Sequence, residues 1–203
     1  MIVLVRHGQT AVNRSGLLQG RVDVGLTETG VAQARRLAAV LAVESPTQVV
    51  TSPLRRARDT AEVIAVAAGL EVVVDERLVE IDYGEWDRRP VADVTAEEWA
   101  RWRADPSWAP PGGESLASVY ERVVDFCVER VEEPGPLVAV SHVSPIKAAV
   151  TWALGVGEDV TWRTRLALAS ITRIGWRDGL SCLESFNETG HLRPAPEAVG
   201  EGR

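Results

Sequence analysis

Apolar residues recur along this chain in two alternating rhythms. Short, nearly continuous apolar runs at residues 1–5, 48–51, 71–74 and 137–141 read as strands buried on both faces. Between them, apolar positions return every three or four residues. Residues 28–43 carry Val31, Ala34, Ala38 and Leu41 as one stripe, with Thr27 placed to cap it. A second stripe, Leu54, Ala57, Ala61, Ile64 and Ala68, runs to Gly69. Ser52-Pro53 ahead of it reads as an N-cap followed by proline at the first helical position. Residues 116–131 form a long helix begun by Ser115 and closed by Pro134-Gly135-Pro136. Ser144-Pro145 repeats the cap-and-proline signature before Ile146, Ala149, Val150, Ala153 and Leu154. Residues 171–176 and 180–186 read as a closing pair of strands joined at Asp178-Gly179.

Strands alternating with helices predict an α/β fold: a three-layer α/β/α sandwich whose mostly parallel central sheet is covered by helices on both faces. One segment breaks the rhythm. Residues 83–114 hold Trp86, Trp99, Trp102 and Trp108, four of the seven tryptophans, with Arg88, Arg89, Arg101 and Arg103. It has poor strand character and one short helix around residues 96–103. It reads as a small helical insertion, either packed on the sheet edge through its tryptophans or laid as a lid over a substrate pocket, and the two are compatible. Residues 194–203 lack apolar anchors and read as a mobile tail, which leaves one domain over 1–193.

Composition narrows the class. At 203 residues, 45% hydrophobic and 25% charged, the chain can bury about 70% of its surface without metal or disulfide staples. This excludes a disordered chain, a fibre or a small disulfide scaffold. Twenty-two basic against 29 acidic residues give a net charge of −7, which argues against nonspecific binding to nucleic acid or an anionic membrane. Cys127 and Cys182 sit far apart in apolar contexts and read as free thiols, in keeping with a reducing compartment. The apolar run at the N-terminus is too short for a signal peptide, and no stretch approaches a membrane span. A cytoplasmic location is expected.

In an open parallel sheet, ligands bind in the crevice beyond the carboxyl ends of the strands. Three predicted strands deliver polar groups there: the first ends in Arg6-His7-Gly8-Gln9-Thr10, the second in Ser52 ahead of Arg55, Arg56 and Arg58, and the fourth in His142. Two of only three histidines thus fall at strand ends, while His191 reads as structural or superficial. Arg55 and Arg58 read as solvent-facing and Lys147 as solvated. Glu80, Asp82 and Glu85 compete as the acid, and the residues alone do not choose among them. Ser141 and Ser144 lack the G-x-S-x-G setting of a serine nucleophile. Three scattered histidines are too few for a histidine-carboxylate metal site.

Several of these segments carry a resemblance. Leu4-Val5-Arg6-His7-Gly8-Gln9-Thr10 with Asn13 resembles the signature of the histidine phosphatase superfamily, which includes cofactor-dependent phosphoglycerate mutases, fructose-2,6-bisphosphatases, broad-specificity phosphatases and α-ribazole phosphatases. Leu26-Thr27-Glu28-Thr29-Gly30, Thr51-Ser52-Pro53-Leu54-Arg55-Arg56-Ala57, the acid-bearing stretch from Leu78 to Trp86, Gly113-Glu114-Ser115 and Val140-Ser141-His142 match further segments in the family's order. The resemblance implies His7 as the nucleophile, with Arg6, Arg56 and His142 holding the phosphoryl group. Glu80 is the implied proton donor, which requires a pKa raised toward the operating pH. Asn13, the Gln19-Gly20 turn and the Val143 N–H are implied phosphate contacts. No metal and no cofactor are implied.

One departure shapes the reading. The family's usual glycine after the second histidine is replaced, giving His142-Val143-Ser144-Pro145. A β-branched residue there restricts approach and disfavours any positive φ. This run resembles a phosphatase branch that includes domains fused to RNase H and assigned to α-ribazole phosphate. The chain is also shorter than typical cofactor-dependent mutases. A phosphatase of small phosphomonoesters is therefore expected, with a small phosphorylated metabolite as partner and a homodimer compatible. The alternatives are phosphoglycerate mutase-type transfer and a non-catalytic binding module.

Overall fold

Six strands make one sheet, and the alternation of their side chains supplies a core on each side. They are β1 (Ile2–Arg6), β2 (Gln48–Thr51), β3 (Val72–Val74), β4 (Leu137–Ser141), β5 (Ile171–Arg177) and β6 (Leu180–Glu188). The computed structural model describes residues 1–193; the tail expected at 194–203 lies outside the described residues. The order is β3-β2-β4-β1-β5-β6, with the first four strands parallel and β5 and β6 antiparallel. Asp178 and Gly179 both take positive φ, 54° and 80°, at the tip of the β5–β6 hairpin. Aspartate-glycine suits this twist-matched turn.

The helices are α1 (Ala11–Arg14), α2 (Glu28–Leu41), α3 (Arg55–Ala68), α4 (Ala96–Ala104), α5 (Leu116–Arg130), α6 (Val143–Leu154) and α7 (Val160–Arg163). Period-two burial within β1 sends Ile2 and Leu4 to one face and Val3 and Val5 to the other. The first pair packs with Val119, Phe126 and Ile146 of α5 and α6. The second packs with Leu37, Ala57 and Ile64 of α2 and α3. This is the three-layer α/β/α sandwich expected from the alternation of elements.

Two helix starts differ from the expected ones. The N-cap of α3 is Leu54, not Ser52, and the donor work is done by neighbours: Asp23 Oδ1 accepts from Arg55 N at 2.6 Å and Ser52 Oγ from Leu54 N at 3.3 Å. His142 precedes α6 as its N-cap, so Ser144 lies inside the helix and Pro145 is its third residue. Proline is tolerated there because first-turn amides have no intrahelical partner. Thr27 and Ser115 do cap α2 and α5, accepting from Gly30 N and Ser118 N. The one-turn helices α1 and α7 are too short to show a stripe in the sequence.

Candidate active site

Register brings the distant residues together. Arg6 pairs with Ser141 across β1 and β4, and Thr51 with Val140 across β2 and β4. The residues that follow, His7, Ser52 and His142, therefore emerge side by side at the carboxyl edge. The two imidazoles lie with centroids 5.0 Å apart and planes inclined at 56°. Behind His7, a Cβ on Gly8 would come within 2.6 Å of the Gly30 carbonyl oxygen, so only glycine lets the loop after β1 approach α2 this closely. Ala169, at φ 53°, donates its N–H to the His7 carbonyl and accepts from His191 Nε2 at 2.9 Å. His191 thus braces backbone in a conformation that L residues rarely adopt.

Arg56 is the hub. Its side chain is fully buried, and its Nε donates to both His7 Nε2 and His142 Nδ1 at 3.2 Å, one hydrogen shared between two rings. Its Nη1 and Nη2 hold the carbonyls of Val22 and Gly20 at 2.9 and 2.8 Å. The tautomers follow from these bonds. His7 Nδ1 donates to the Gly8 carbonyl at 2.7 Å, leaving Nε2 with its lone pair. His142 accepts at Nδ1, so its Nε2 carries the hydrogen and donates to Ser52 Oγ at 2.7 Å. Ser52, expected as a helix cap, instead orients the second histidine. Burial, followed by the charges of Arg56 and Arg6, holds His7 well below the usual imidazole range; burial and Arg56 do the same to His142. Both rings are neutral at pH 7. Arg56 itself is lowered to about 10, chiefly by burial.

Two donors at this edge have no protein partner. Arg6 donates through Nη1 to the Leu166 carbonyl at 2.6 Å, yet its Nε has no protein partner. Gln19 contacts Thr10 Oγ1 through Oε1 at 2.8 Å, while its buried Nε2 is unpartnered. Among the described residues, neither Arg6 nor Arg56 has a carboxylate within 4.0 Å. Desolvated guanidinium groups without a counter-charge are costly, and an anion seated among them removes the cost. Asn13 closes α1 in a capping box with Thr10. Gly20 N donates to Asp87 Oδ1 at 2.7 Å, so that turn is already tied down.

The three candidate acids separate in space. Glu85 is exposed, and Asp82 accepts from Gly84 N and pairs with Arg21 at 3.7 Å. Glu80 is 4% exposed, with its carboxyl over the start of α6. Oε2 accepts from Val143 N at 3.1 Å, and Oε1 from Ser144 N at 3.1 Å and Ile81 N at 2.9 Å. The Val143 N–H, expected on a phosphate, is thus given to Glu80 in this structure. Val143 is absent from the positive-φ residues, so its Cβ brings no backbone strain. Arg55 and Arg58 are exposed, as their helix positions predict. Lys147 is half-buried rather than freely solvated, donating to the Thr161 carbonyl at 2.7 Å.

The tryptophans of 83–114 turn onto one another. Trp99 and Trp102 stack at 5.7 Å and 7°, Trp86 and Trp162 meet Trp102 edge-on, and Trp86 and Trp102 are 5% and 2% exposed. Trp86 and Trp102 belong to the same buried cluster as Val119 and Phe126. Two of the four arginines join the same cluster: Arg89 lies over Trp86, and Arg101 over Trp108. Trp162, on the unforeseen α7, had no sequence signal to link it to this group. Among the described residues, no three His, Cys, Asp or Glu side chains gather so as to hold a metal ion, and no helix is long and apolar enough to cross a membrane.

Two histidines thus gather at the carboxyl edge of a parallel sheet with two arginines that, among the described residues, have no carboxylate within 4.0 Å. The family model for the histidine phosphatase superfamily (branch 1) matches residues 2–189, and the chain belongs to that family. A bifunctional protein of Mycobacterium tuberculosis is 40% identical over 199 residues, covering 94% of this chain and 54% of that one, so the chain spans about half the length of that relative. Phosphoserine phosphatase 1 of Hydrogenobacter thermophilus is 36% identical over 197 residues, covering 94% and 93%. Among solved structures, a mycobacterial glucosyl-3-phosphoglycerate phosphatase in complex with VO3 superposes with a TM-score of 0.83 at 34% identity, covering 93% of this chain and 98% of that one. A phosphoserine phosphatase of Entamoeba histolytica in complex with 3-phosphoglyceric acid gives 0.86 at 29%, covering 95% and 98%. The α-ribazole phosphatase of Shigella flexneri gives 0.81 at 26%, covering 92% and 96%. Named phosphatases among these relatives accord with a phosphomonoester hydrolase.

Proposed function

We propose that this protein is a metal-independent phosphatase that hydrolyses small phosphomonoesters through a phosphohistidine at His7. The observation that carries the reading is a neutral imidazole, His7, whose unprotonated Nε2 accepts from Arg56, beside Arg6 and Arg56, neither of which has a carboxylate within 4.0 Å among the described residues. A dianionic phosphoryl group supplies the missing counter-charge and sits against the nucleophile. The equatorial oxygens are met by Arg6, Arg56 and Gln19 Nε2, with His142, whose ring Ser52 holds in place, Asn13 and the Gln19-Gly20 turn alongside. Phosphoryl transfer needs chiefly such positioning and charge neutralisation.

His7 Nε2 attacks phosphorus and the bond to the ester oxygen breaks. The leaving alkoxide takes a proton from Glu80, and His7 Nδ1 keeps its hydrogen, donated to the Gly8 carbonyl. In the second half, Glu80 takes a proton from water, whose oxygen attacks phosphorus as the N–P bond breaks. The products are alcohol and inorganic phosphate, with His7 and Glu80 restored. The phosphoserine and glucosyl-3-phosphoglycerate phosphatases among the similar proteins direct the substrate search toward phosphorylated three-carbon acids such as phosphoserine and phosphoglycerate derivatives.

The test is phosphate release from 3-phosphoglycerate, phosphoserine, sugar phosphates, α-ribazole phosphate and p-nitrophenyl phosphate in excess EDTA, with His7→Ala in parallel. Turnover that survives EDTA and is lost in His7→Ala is expected. Full activity in His7→Ala would refute the covalent route. Release only after priming with a bisphosphorylated glycerate, with net isomer exchange, would favour a mutase.

A further inference from the structure

The stretch of chain that carries Glu80 is held from both ends by one ion pair outside the phosphate-binding set. Glu114, just ahead of α5, and Arg122, within it, meet as a fork. Arg122 Nε donates to Glu114 Oε1 at 2.9 Å and Nη2 to Oε2 at 3.1 Å. Their side chains are only 17% and 15% exposed. The outer atoms of the fork reach the backbone on either side of Glu80. Upstream, Arg122 Nη1 donates to the Arg77 carbonyl at 2.6 Å. Downstream, Glu114 Oε2 accepts from Asp82 N at 3.3 Å, and Glu114 N donates to the Asp82 carbonyl at 2.8 Å. Between these anchors, Ser141 Oγ donates to the Leu78 carbonyl at 2.7 Å, tying the same stretch to the residue before His142.

We propose that Arg122 and Glu114 are positioning residues for Glu80, setting where its carboxyl meets the leaving-group oxygen. This rests on the reading of Glu80 as the proton donor. Proton transfer requires heavy atoms within about 2.6–3.2 Å, so the carboxyl must be placed to a fraction of an ångström. The two-bond charged fork locks Arg122 and Glu114 to each other, so the bonds they make to Arg77 and Asp82 are held in a fixed relation to one another. The pair touches no phosphate ligand, and its effect falls on the step that needs a proton. Arg21, 44% exposed and 3.3 Å from Glu114 Oε2, adds a solvated and therefore weak third contact.

The experiment is rapid-mixing measurement of first-turnover release of the leaving group, which excludes hydrolysis of the phosphohistidine. It compares 3-phosphoglycerate, whose alkoxide needs a proton, with p-nitrophenyl phosphate, whose phenolate departs without one. The proteins are the wild type, Glu80→Gln, Glu114→Gln and Arg122→Lys. We expect Glu114→Gln and Arg122→Lys to lose about 10–100-fold on the alkyl ester, the scale of a 1 Å misplacement, and only a few-fold on the aryl ester. Glu80→Gln should show the same selectivity more strongly. Equal losses on both esters in the pair variants, with Glu80→Gln selective, would overturn the positioning role and leave the acid assignment standing. No selectivity in Glu80→Gln would overturn the acid assignment and this role with it. Failure of both pair variants to fold would make the pair structural and refute the proposal.

Discussion

Arg56 shows how much one side chain is asked to do. Its four hydrogen bonds join two imidazoles to two carbonyls of the 20–22 loop, so it fixes the tautomer of each histidine at the carboxyl edge of the sheet. Lysine keeps the charge but has no planar fork and cannot span both rings and both carbonyls. Arg56→Lys should lower kcat/KM by about 10²–10³-fold, the scale of losing one preorganised donor to the transferring group. Steady-state kinetics on the best substrate check this, and a loss below 10-fold would remove Arg56 from the centre of the site. The neighbouring arginines at 55 and 58 were separable from Arg56 by helix phase alone. The choice of Glu80 over Asp82 and Glu85 was not. All three lie within six residues, and only the packed structure shows which one is buried over α6.

At the scale of elements, α4 and the segment around it are fastened by aromatic packing. Trp102 contacts Tyr83, Trp86, Trp99, Trp108 and Trp162, and Tyr83 follows Glu80 by three residues. Aromatic truncation in such a cluster removes a large buried area and leaves a cavity. Trp102→Ala should destabilise the protein by about 3–5 kcal/mol, seen as a lower denaturant midpoint with an unchanged slope. A change under about 1 kcal/mol would mean that the cluster collapses freely or contributes little. The periodic stripes located the long helices to within a few residues, because each must bury one face. Their starts were less visible: at α6 the capping acceptor is Glu80, more than sixty residues away in sequence, so local signals pointed to Ser144 instead.

For the molecule as a whole, the buried pair of neutral histidines couples the site to stability. Each is lowered in the folded state, so between its folded pKa and the ordinary value near 6.5 the unfolded chain binds more protons. Their contribution is complete above about pH 6.5 and is lost as pH falls below it, at up to about 1.4 kcal/mol per pH unit for each ring. Denaturant unfolding from pH 7.5 to 5 should show this decline, and the variant His142→Gln should lessen the slope. A flat profile would mean that the rings are not held neutral. The order of strands and helices, the sandwich and the two strand-end histidines followed from the sequence by itself, because burial imposes its period on every long element. Strand order, the register that aligns Arg6 with Ser141, the shared Arg56 hydrogen and the hold of Glu114 and Arg122 on the Glu80 segment were decided only by tertiary structure. Each of these is a contact between residues far apart in the chain, and its geometry depends on how both partners pack rather than on either one's neighbours.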